Sequence, residues 1–251
     1  MKLGNRLEYV ANMVGHVSTM ADIGADHAKV PIHLISQGKV QRAIVVEVTD
    51  GPFTSASQAV RHAGLEDRIS VVLGNGLHPI QPGEVDTFVI AGMGGATIWD
   101  IVTSEHAQNI LAASPNALVL QPLSLVGLLR YGAPQLGYEI QSDQRVEENG
   151  IIYECLRLVA KDVVRRKQIS TLAPLIREAY DHLSVPEKVR LACGEIAIKE
   201  HSTLLLIAIQ DEIKKRAEIL EKVSRDDRGA KGLQILKEEY DALYTIFCAI
   251  R

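Results

Sequence analysis

Between residues 17 and 160, short β-branched runs alternate with amphipathic segments. That alternation restricts the chain to a mostly parallel sheet with helices on both faces, because parallel neighbours need a crossover between them. Strands are expected at Val17–Ile23, Arg42–Val48, Ile69–Leu73, Val85–Ala91 and Ala117–Leu120. Helices are expected at Ala28–Ser36, Phe53–His62, Ala96–Ala112 and Leu123–Gln135. Pro52 suits a first helical turn and Gly64 a helix stop.

The alternation then breaks. Tyr138–Val146 and Ile151–Val159 are consecutive strands joined by Glu147, Glu148, Asn149 and Gly150, and Asn-Gly is a strong hairpin signal. Five parallel strands closed by an antiparallel hairpin make the α/β, Rossmann-like sheet of class I methyltransferases, an ending that nicotinamide-binding folds usually lack. After Lys161 the pattern is helical, interrupted at Pro174 and Pro186. Leu233, Leu236, Tyr240, Leu243, Phe247 and Ile250 form a heptad stripe, matched by Ile209, Ile213, Ala217 and Leu220 on a helix from about Glu195 to Val223. Ser224 to Gly232, with Asp226, Asp227 and Gly229, reads as the turn of an antiparallel helix pair. Two domains are expected: residues 1–160 for the sheet, and 161–251 for a small, coiled-coil-like helical domain. The stripes are read as one helix packing on the other rather than as a dimer seam, so a monomer is expected.

The 251 residues are 47% hydrophobic and 23% charged, which excludes a disordered or fibrous chain. The longest strictly apolar run, Leu204–Ile209, is far short of the roughly 18 to 20 residues of a membrane span, and no leader pattern opens the chain. A cytoplasmic protein is expected. Cys155, Cys193 and Cys248 form no Cys-x-x-Cys pair and the histidines no ligand cluster, so no metal is assigned. Residues 1–160 carry 10 basic against 16 acidic side chains, and residues 161–251 carry 17 against 15. An acidic core with a more heavily charged module is the pattern, and its field alone does not identify a nucleic-acid partner.

Chemistry-bearing residues gather where strands hand over to helices. Asp22-Ile23-Gly24-Ala25-Asp26-His27 follows the first strand, the place where doubly wound sheets bind nucleotide-like ligands. With one glycine instead of three it offers no pyrophosphate cradle, and its carboxylates would repel phosphate while attracting an amino group and a sulfonium. Plain turn and N-cap duty is the competing reading of Asp22 and Asp26. Glu47, closing the second strand, can accept hydrogen bonds from both hydroxyls of a ribose. Gly74-Asn75-Gly76 follows the third strand, and Asn75 there could bond an adenine edge. Ala91-Gly92-Met93-Gly94-Gly95 ends the fourth, where so many glycines suggest close approach of a ligand. Gln121 and Pro122 end the fifth strand, facing the same cleft, with Arg130 eight residues on.

Taken together, ADIGADHAKVP (21–31), Gly51-Pro52 after Glu47, Gly74-Asn75-Gly76-Leu77, IAGMGG (90–95), Leu120-Gln121-Pro122 with Leu129-Arg130, and EENGIIYE (147–154) resemble the TrmK family. Arg6-Leu7 resembles the family's opening. These are bacterial methyltransferases that use S-adenosylmethionine to modify N1 of adenine 22 in tRNA, with a small C-terminal helical domain. The resemblance implies that Asp22, Gly24, Asp26 and His27 line the methionine end of the cofactor, Glu47 the ribose, and Asn75 with Gly76 the adenine. It places Ala91, Gly92, Met93 and Gly94 toward the target base; the first three count as cofactor contacts as well, and Gly94 as a substrate contact. Leu123 stands where the family often has Asn.

Methylating adenine N1 is a direct displacement, so alignment supplies most of the catalysis. Asp26 is the first candidate for a base, with His27 beside it and Met93 as a third catalytic candidate. Gln121, Arg130, Arg165 and Arg166 are the expected substrate contacts, and Lys167, Lys214, Lys215 and Arg216 could also meet the tRNA backbone. Two alternatives stay open: a methyltransferase acting on another RNA or a small molecule, and a non-catalytic S-adenosylmethionine-binding adaptor.

Overall fold

The computed structural model describes residues 2–113, 116–223 and 230–251. In chain order the first elements are α1 (Asn5–Val14), β1 (Val17–Ile23), α2 (Lys29–Ser36), β2 (Val40–Glu47), α3 (Asp50–His62), β3 (Ile69–Leu73) and β4 (Thr87–Met93). They are followed by α4 (Gly95–Thr103), α5 (Glu105–Ala112), β5 (Ala117–Pro122), α6 (Val126–Gln135), β6 (Tyr138–Glu148) and β7 (Ile151–Ala160). The strands form one sheet in the order β3-β2-β1-β4-β5-β7-β6. β1 to β5 run parallel, and β7 enters antiparallel beside β5 with β6 outside it.

The hairpin turn is shorter than the sequence suggests. Only Asn149 and Gly150 lie between the strands, both with positive φ (54° and 78°), the backbone that a two-residue type I′ turn requires. β5 is buried along its whole length, with Leu118 and Leu120 packed into one face of the core and Val119 into the other. On Val119's side lie α1, α2 and α3, through Val10, Leu34, Ile35, Ala56 and Val60. The opposite face carries Ile98, Trp99, Leu111 and Leu128.

Two differences from the expected elements have clear causes. Ser104 ends α4 in an extended conformation and caps α5, its hydroxyl accepting the Ala107 N–H at 3.2 Å, so Ala96–Ala112 is two helices. α1 carries its apolar residues Leu7, Val10, Ala11 and Val14 at helical spacing on the side it buries, and it went unread between the stronger signals around it.

Beyond the sheet come α7 (Val163–Arg166), α8 (Ile169–Asp181), α9 (Val185–Cys193), α10 (Glu195–Lys199), α11 (Thr203–Val223) and α12 (Ala230–Ile250). The expected helix from Glu195 is interrupted at His201, whose φ of 52° ends α10, and Ser202 precedes α11. α11 and α12 pack through Leu205 and Ile209 against Leu243, Ile246 and Ile250, joined by Cys193 of α9 and Ala197 of α10. α8 belongs elsewhere: Ile169, Ala173, Ile176 and Tyr180 share the core of the sheet. Of the expected turn between the long helices, residues 224–229 lie outside the described residues.

A buried charge cluster joins the hairpin to the end of α9. Arg130 on α6 gives Nε and Nη2 to the two oxygens of Asp143 at 2.8 and 2.6 Å, and Nη2 also reaches Glu154 Oε1 at 2.9 Å. Its Nη1 donates to the carbonyls of Leu191 and Ala192 at 3.0 and 2.6 Å. Arg145 bonds Glu154 Oε1 at 2.6 Å and the Cys193 carbonyl at 2.7 Å. Both guanidiniums thus bind carbonyls at the C-terminal end of a helix, where the macrodipole favours a cation. Gly194 follows at φ 81°, and a Cβ there would come within 2.6 Å of Asp143 Oδ2. Arg130, expected to meet substrate, is therefore a structural residue only 5% exposed.

Replacing Asp143 by Ala leaves Arg130 buried without its bidentate partner, and about 3–5 kcal/mol of stability should be lost. Urea denaturation reads this directly; a loss under about 1 kcal/mol would show that the cluster does not hold the hairpin to the helices.

Candidate active site

Strand order reverses between β1 and β4, and the loops leaving those strands diverge to opposite faces. A cavity of about 240 Å³ opens there, lined by Asp22, Gly24, Ala25, Asp26, His27, Lys29 and Val30 from the β1–α2 connection and by Ala91 and Gly92 from the end of β4. Arg6 and Leu7 of α1 close its remaining side.

The backbone of the first loop is unusual. Gly24 has φ 72°, and a Cβ there would sit 2.2 Å from the Met93 methyl, so only glycine lets the Met93 side chain cross the loop. Asp26 and Ala28 also have positive φ, 55° and 50°, which costs a non-glycine residue roughly 1–2 kcal/mol each. Strain of this kind gathers at ligand sites. The loop is held by Gly24 N–H donating to the Val46 carbonyl at 2.8 Å and by Asp26 N–H donating to Glu47 Oε1 at 2.5 Å.

Asp22 and Glu47 are each 4% exposed. Burial, and then the neighbouring charge of Glu47, push the Asp22 carboxyl up to about 7. Burial raises Glu47 too, opposed by the N–H groups of Asp26 and Ala25. The cavity therefore sets the buried Asp22, with Glu47 behind it, and Asp26 against the cation Lys29, a charge set suited to a zwitterionic amino acid end with an added cation. S-adenosylmethionine carries that charge distribution, an ammonium and a sulfonium with one carboxylate, and the lining is complementary to it.

Six expected residues line this cavity: Asp22, Gly24, Asp26, His27, Ala91 and Gly92. Asn75 and Gly76 lie instead past the end of β3, beside the end of β2, where Gly74 N–H donates to the Glu47 carbonyl at 2.8 Å. Val48 and Leu73, 65% and 53% exposed, give that edge an apolar surface of the kind an adenine ring covers. Asp26 and His27 approach each other at 3.6 Å with side chains 69% and 49% exposed, an open pair and not a desolvated base. Gly94 precedes α4, with a Cβ position 3.2 Å from Ser124 Oγ. Gln121 is buried beside Ala91 in the β4–β5 register.

Beyond Arg6, whose guanidinium lies over the Tyr153 ring, a groove of about 810 Å³ lies between Pro122–Gly127, Ile151–Glu154 and the helical part, with Tyr180, Lys188 and Arg216 along it. The basic residues expected at tRNA divide. Arg166 is 2% exposed and donates to the Leu111 carbonyl at 2.5 Å, so its guanidinium braces α5 and is not offered to a ligand. Arg165 is exposed, 3.5 Å from Asp162. Lys215 pairs with Glu212 at 2.9 Å and Arg216 with Glu239 at 2.9 Å. Arg6 is the addition: the motif Arg6-Leu7 carries no role of its own, and α1, packed through its apolar spacing, brings the guanidinium into the site.

The Methyltransferase domain family model matches residues 3–156. A Bacillus subtilis (strain 168) tRNA (adenine(22)-N(1))-methyltransferase is 34% identical over 244 residues, 97% of this chain and 94% of that protein. The crystal structure of the B. subtilis M1A22 tRNA methyltransferase TrmK superposes with a TM-score of 0.77 at 31% identity, covering 98% of this chain and 99% of the other. A Streptococcus pneumoniae protein solved in complex with S-adenosyl-L-methionine superposes with a TM-score of 0.76 at 30% identity, covering 96% of this chain and 98% of that one.

Asp22 sets a pH dependence. Its folded-state value lies above the ordinary 3.8, so between about pH 4 and 7 the native protein keeps a proton that the unfolded chain has released. Its contribution to stability falls across that window, and above 7 the buried charge is borne in full. Asp22→Asn should therefore raise the stability of the ligand-free protein at pH 8 by on the order of 2–4 kcal/mol, shrinking to nothing near pH 4. Calorimetry should show the opposite for S-adenosylmethionine, whose binding to the native protein strengthens as pH rises through 7 and is lost in the variant.

Proposed function

The chain belongs to the TrmK family of tRNA (adenine(22)-N(1))-methyltransferases, within the wider Methyltransferase domain family, and from that membership we propose that it methylates N1 of adenine 22 in tRNA with S-adenosylmethionine as donor. The observation that carries the proposal is the strained, acid-lined cavity at the strand-order reversal, with a groove beyond Arg6 and Tyr153. When bound, S-adenosylmethionine supplies an electrophilic methyl: the N1 lone pair forms the new bond, the carbon–sulfur pair stays on sulfur, and the positive charge passes to the adenine.

Asp22 and Asp26 hold cationic groups at the base of the cavity, and Glu47, which already accepts the Asp26 N–H on Oε1, accepts ribose hydroxyls on its remaining lone pairs. Gly92 lets a ligand approach the backbone, while Gly24 makes room for Met93, which supports the loop from behind. No group need remove a proton, since a methylated N1 leaves a stable cation. Asp26 and His27 therefore act through charge and position, and alignment carries the rate. Adenine 22 must leave its stack to present N1, which the open groove accommodates.

Residues 161–251 are read as a second unit that holds the tRNA, although α8 packs on the sheet core, which moves the physical seam past residue 181. Arg165, Lys167 and Lys214 are its exposed cations for phosphate. A cytoplasmic monomer goes with this reading: α11 and α12 cover each other's apolar stripes. None of the helices in the described residues is long and apolar enough to cross a membrane, and those residues contain no cluster of three His, Cys, Asp or Glu that could hold a metal.

Transfer of labelled methyl groups to unmodified tRNA transcripts tests the proposal. Incorporation is expected with adenine at position 22 and not with guanine; label in neither transcript, with cofactor binding intact, would move the protein to another substrate or to the adaptor role.

A further inference from the structure

We propose that the guanidinium of Arg6 keeps the place of the target adenine, so that Gln121 reads the base's 6-amino group and Tyr153 stacks on its ring. This rests on the reaction assigned above and adds the residues that select its base. Arg6 lies at the wall between cavity and groove. Its Nη1 donates to Gln121 Oε1 at 2.5 Å, and its Cζ lies over the Tyr153 ring, 5.3 Å from the centroid. A Cβ on Gly92 would be 3.9 Å from the same Nη1, so the guanidinium sits against the cleft's glycine.

A planar, stacking group that donates to Gln121 Oε1 is also a description of adenine presenting its 6-amino edge. The orientation of the Gln121 amide is fixed, because Nε2 donates to the Pro122 carbonyl at 3.0 Å and leaves Oε1 as the acceptor toward the cleft. Guanine carries an oxygen at that position and would set lone pair against lone pair. The same bond strengthens during reaction: as positive charge passes to the ring, the 6-amino protons become more acidic and Oε1 accepts them more strongly. That is differential binding of the transition state.

The groove supplies the approach. Tyr153 lines it, together with Leu123 and Leu125, 58% and 47% exposed at the end of β5. Leu125 holds φ 49°, a strained conformation for a bulky residue displaying an apolar side chain to solvent. Arg6 must withdraw as the base enters, since a guanidinium left there would face the cation that the reaction produces.

The test compares tRNA transcripts carrying adenine or purine, which lacks the 6-amino group, at position 22. In the wild type the ratio of kcat/KM for adenine over purine includes the Gln121 bond. Gln121→Met, of similar length, should reduce that ratio by about tenfold to a hundredfold, because intrinsic reactivity cancels between enzymes. Tyr153→Leu should lower kcat/KM for both transcripts by about tenfold to a hundredfold, and Tyr153→Phe should restore it, because a ring and not mere bulk is needed. Neither Gln121→Met nor Tyr153→Leu should change the dissociation constant of S-adenosylhomocysteine measured by calorimetry. An unchanged adenine-to-purine ratio in an active Gln121→Met, or full activity of Tyr153→Leu, overturns the proposal. A wild type that methylates neither transcript, while still binding the cofactor product, overturns the assigned reaction instead.

Discussion

Three buried charged side chains and the half-buried Glu154, between the hairpin and the last turn of α9, set the geometry on which the groove depends. Arg130, Arg145 and Asp143 lie away from water with Glu154 at their edge, and desolvating such groups costs several kcal/mol per ion unless every lone pair and proton is met. Here most are met by the partner charge and by the Leu191, Ala192 and Cys193 carbonyls. The arrangement tolerates little displacement, since a shift of α9 would strand two cations. The helical part is therefore fixed relative to β6 and β7, and one wall of the groove is fixed relative to the other.

The cavity works by a different economy. Asp22 is held buried beside Glu47 in the ligand-free protein, with a raised affinity for a proton, and Asp26 and Ala28 hold left-handed backbone. These are unfavourable terms that a cationic ligand relieves. The hydrophobic cores on both faces of the sheet carry the stability that offsets them, with Val89 and Val119 on one side and Phe88, Leu118 and Leu120 on the other. Placing the strained loops at the carboxyl ends of central strands puts them where the scaffold is least able to yield.

Much of this was legible beforehand because it is written in local pattern. Asn149-Gly150 specifies a turn that few other dipeptides make, and the strand runs show their period without reference to anything distant. The Asp22–His27 loop and the Gly-rich end of β4 are identifiable because glycine and carboxylate at a strand end are costly without a ligand. Arg130 and Arg166 misled for a physical reason: an arginine in a helix reads the same whether its guanidinium faces phosphate or a buried carbonyl. Burial decides, and burial depends on Asp143 and Glu154, 13 and 24 residues from Arg130, and on Leu111, 55 residues from Arg166.

The sequence by itself determined the alternation of strands with helical segments from β1 to β5, the antiparallel ending, and the loops that gather at one edge of the sheet, because each rests on periodicity or turn chemistry within a few residues. Tertiary structure decided which polar groups share a cavity. Arg6 meets Gln121 across 115 residues, and Glu47 reaches the Asp26 N–H across 21. Such pairings follow from how strands and helices are laid side by side, and no local spacing records them.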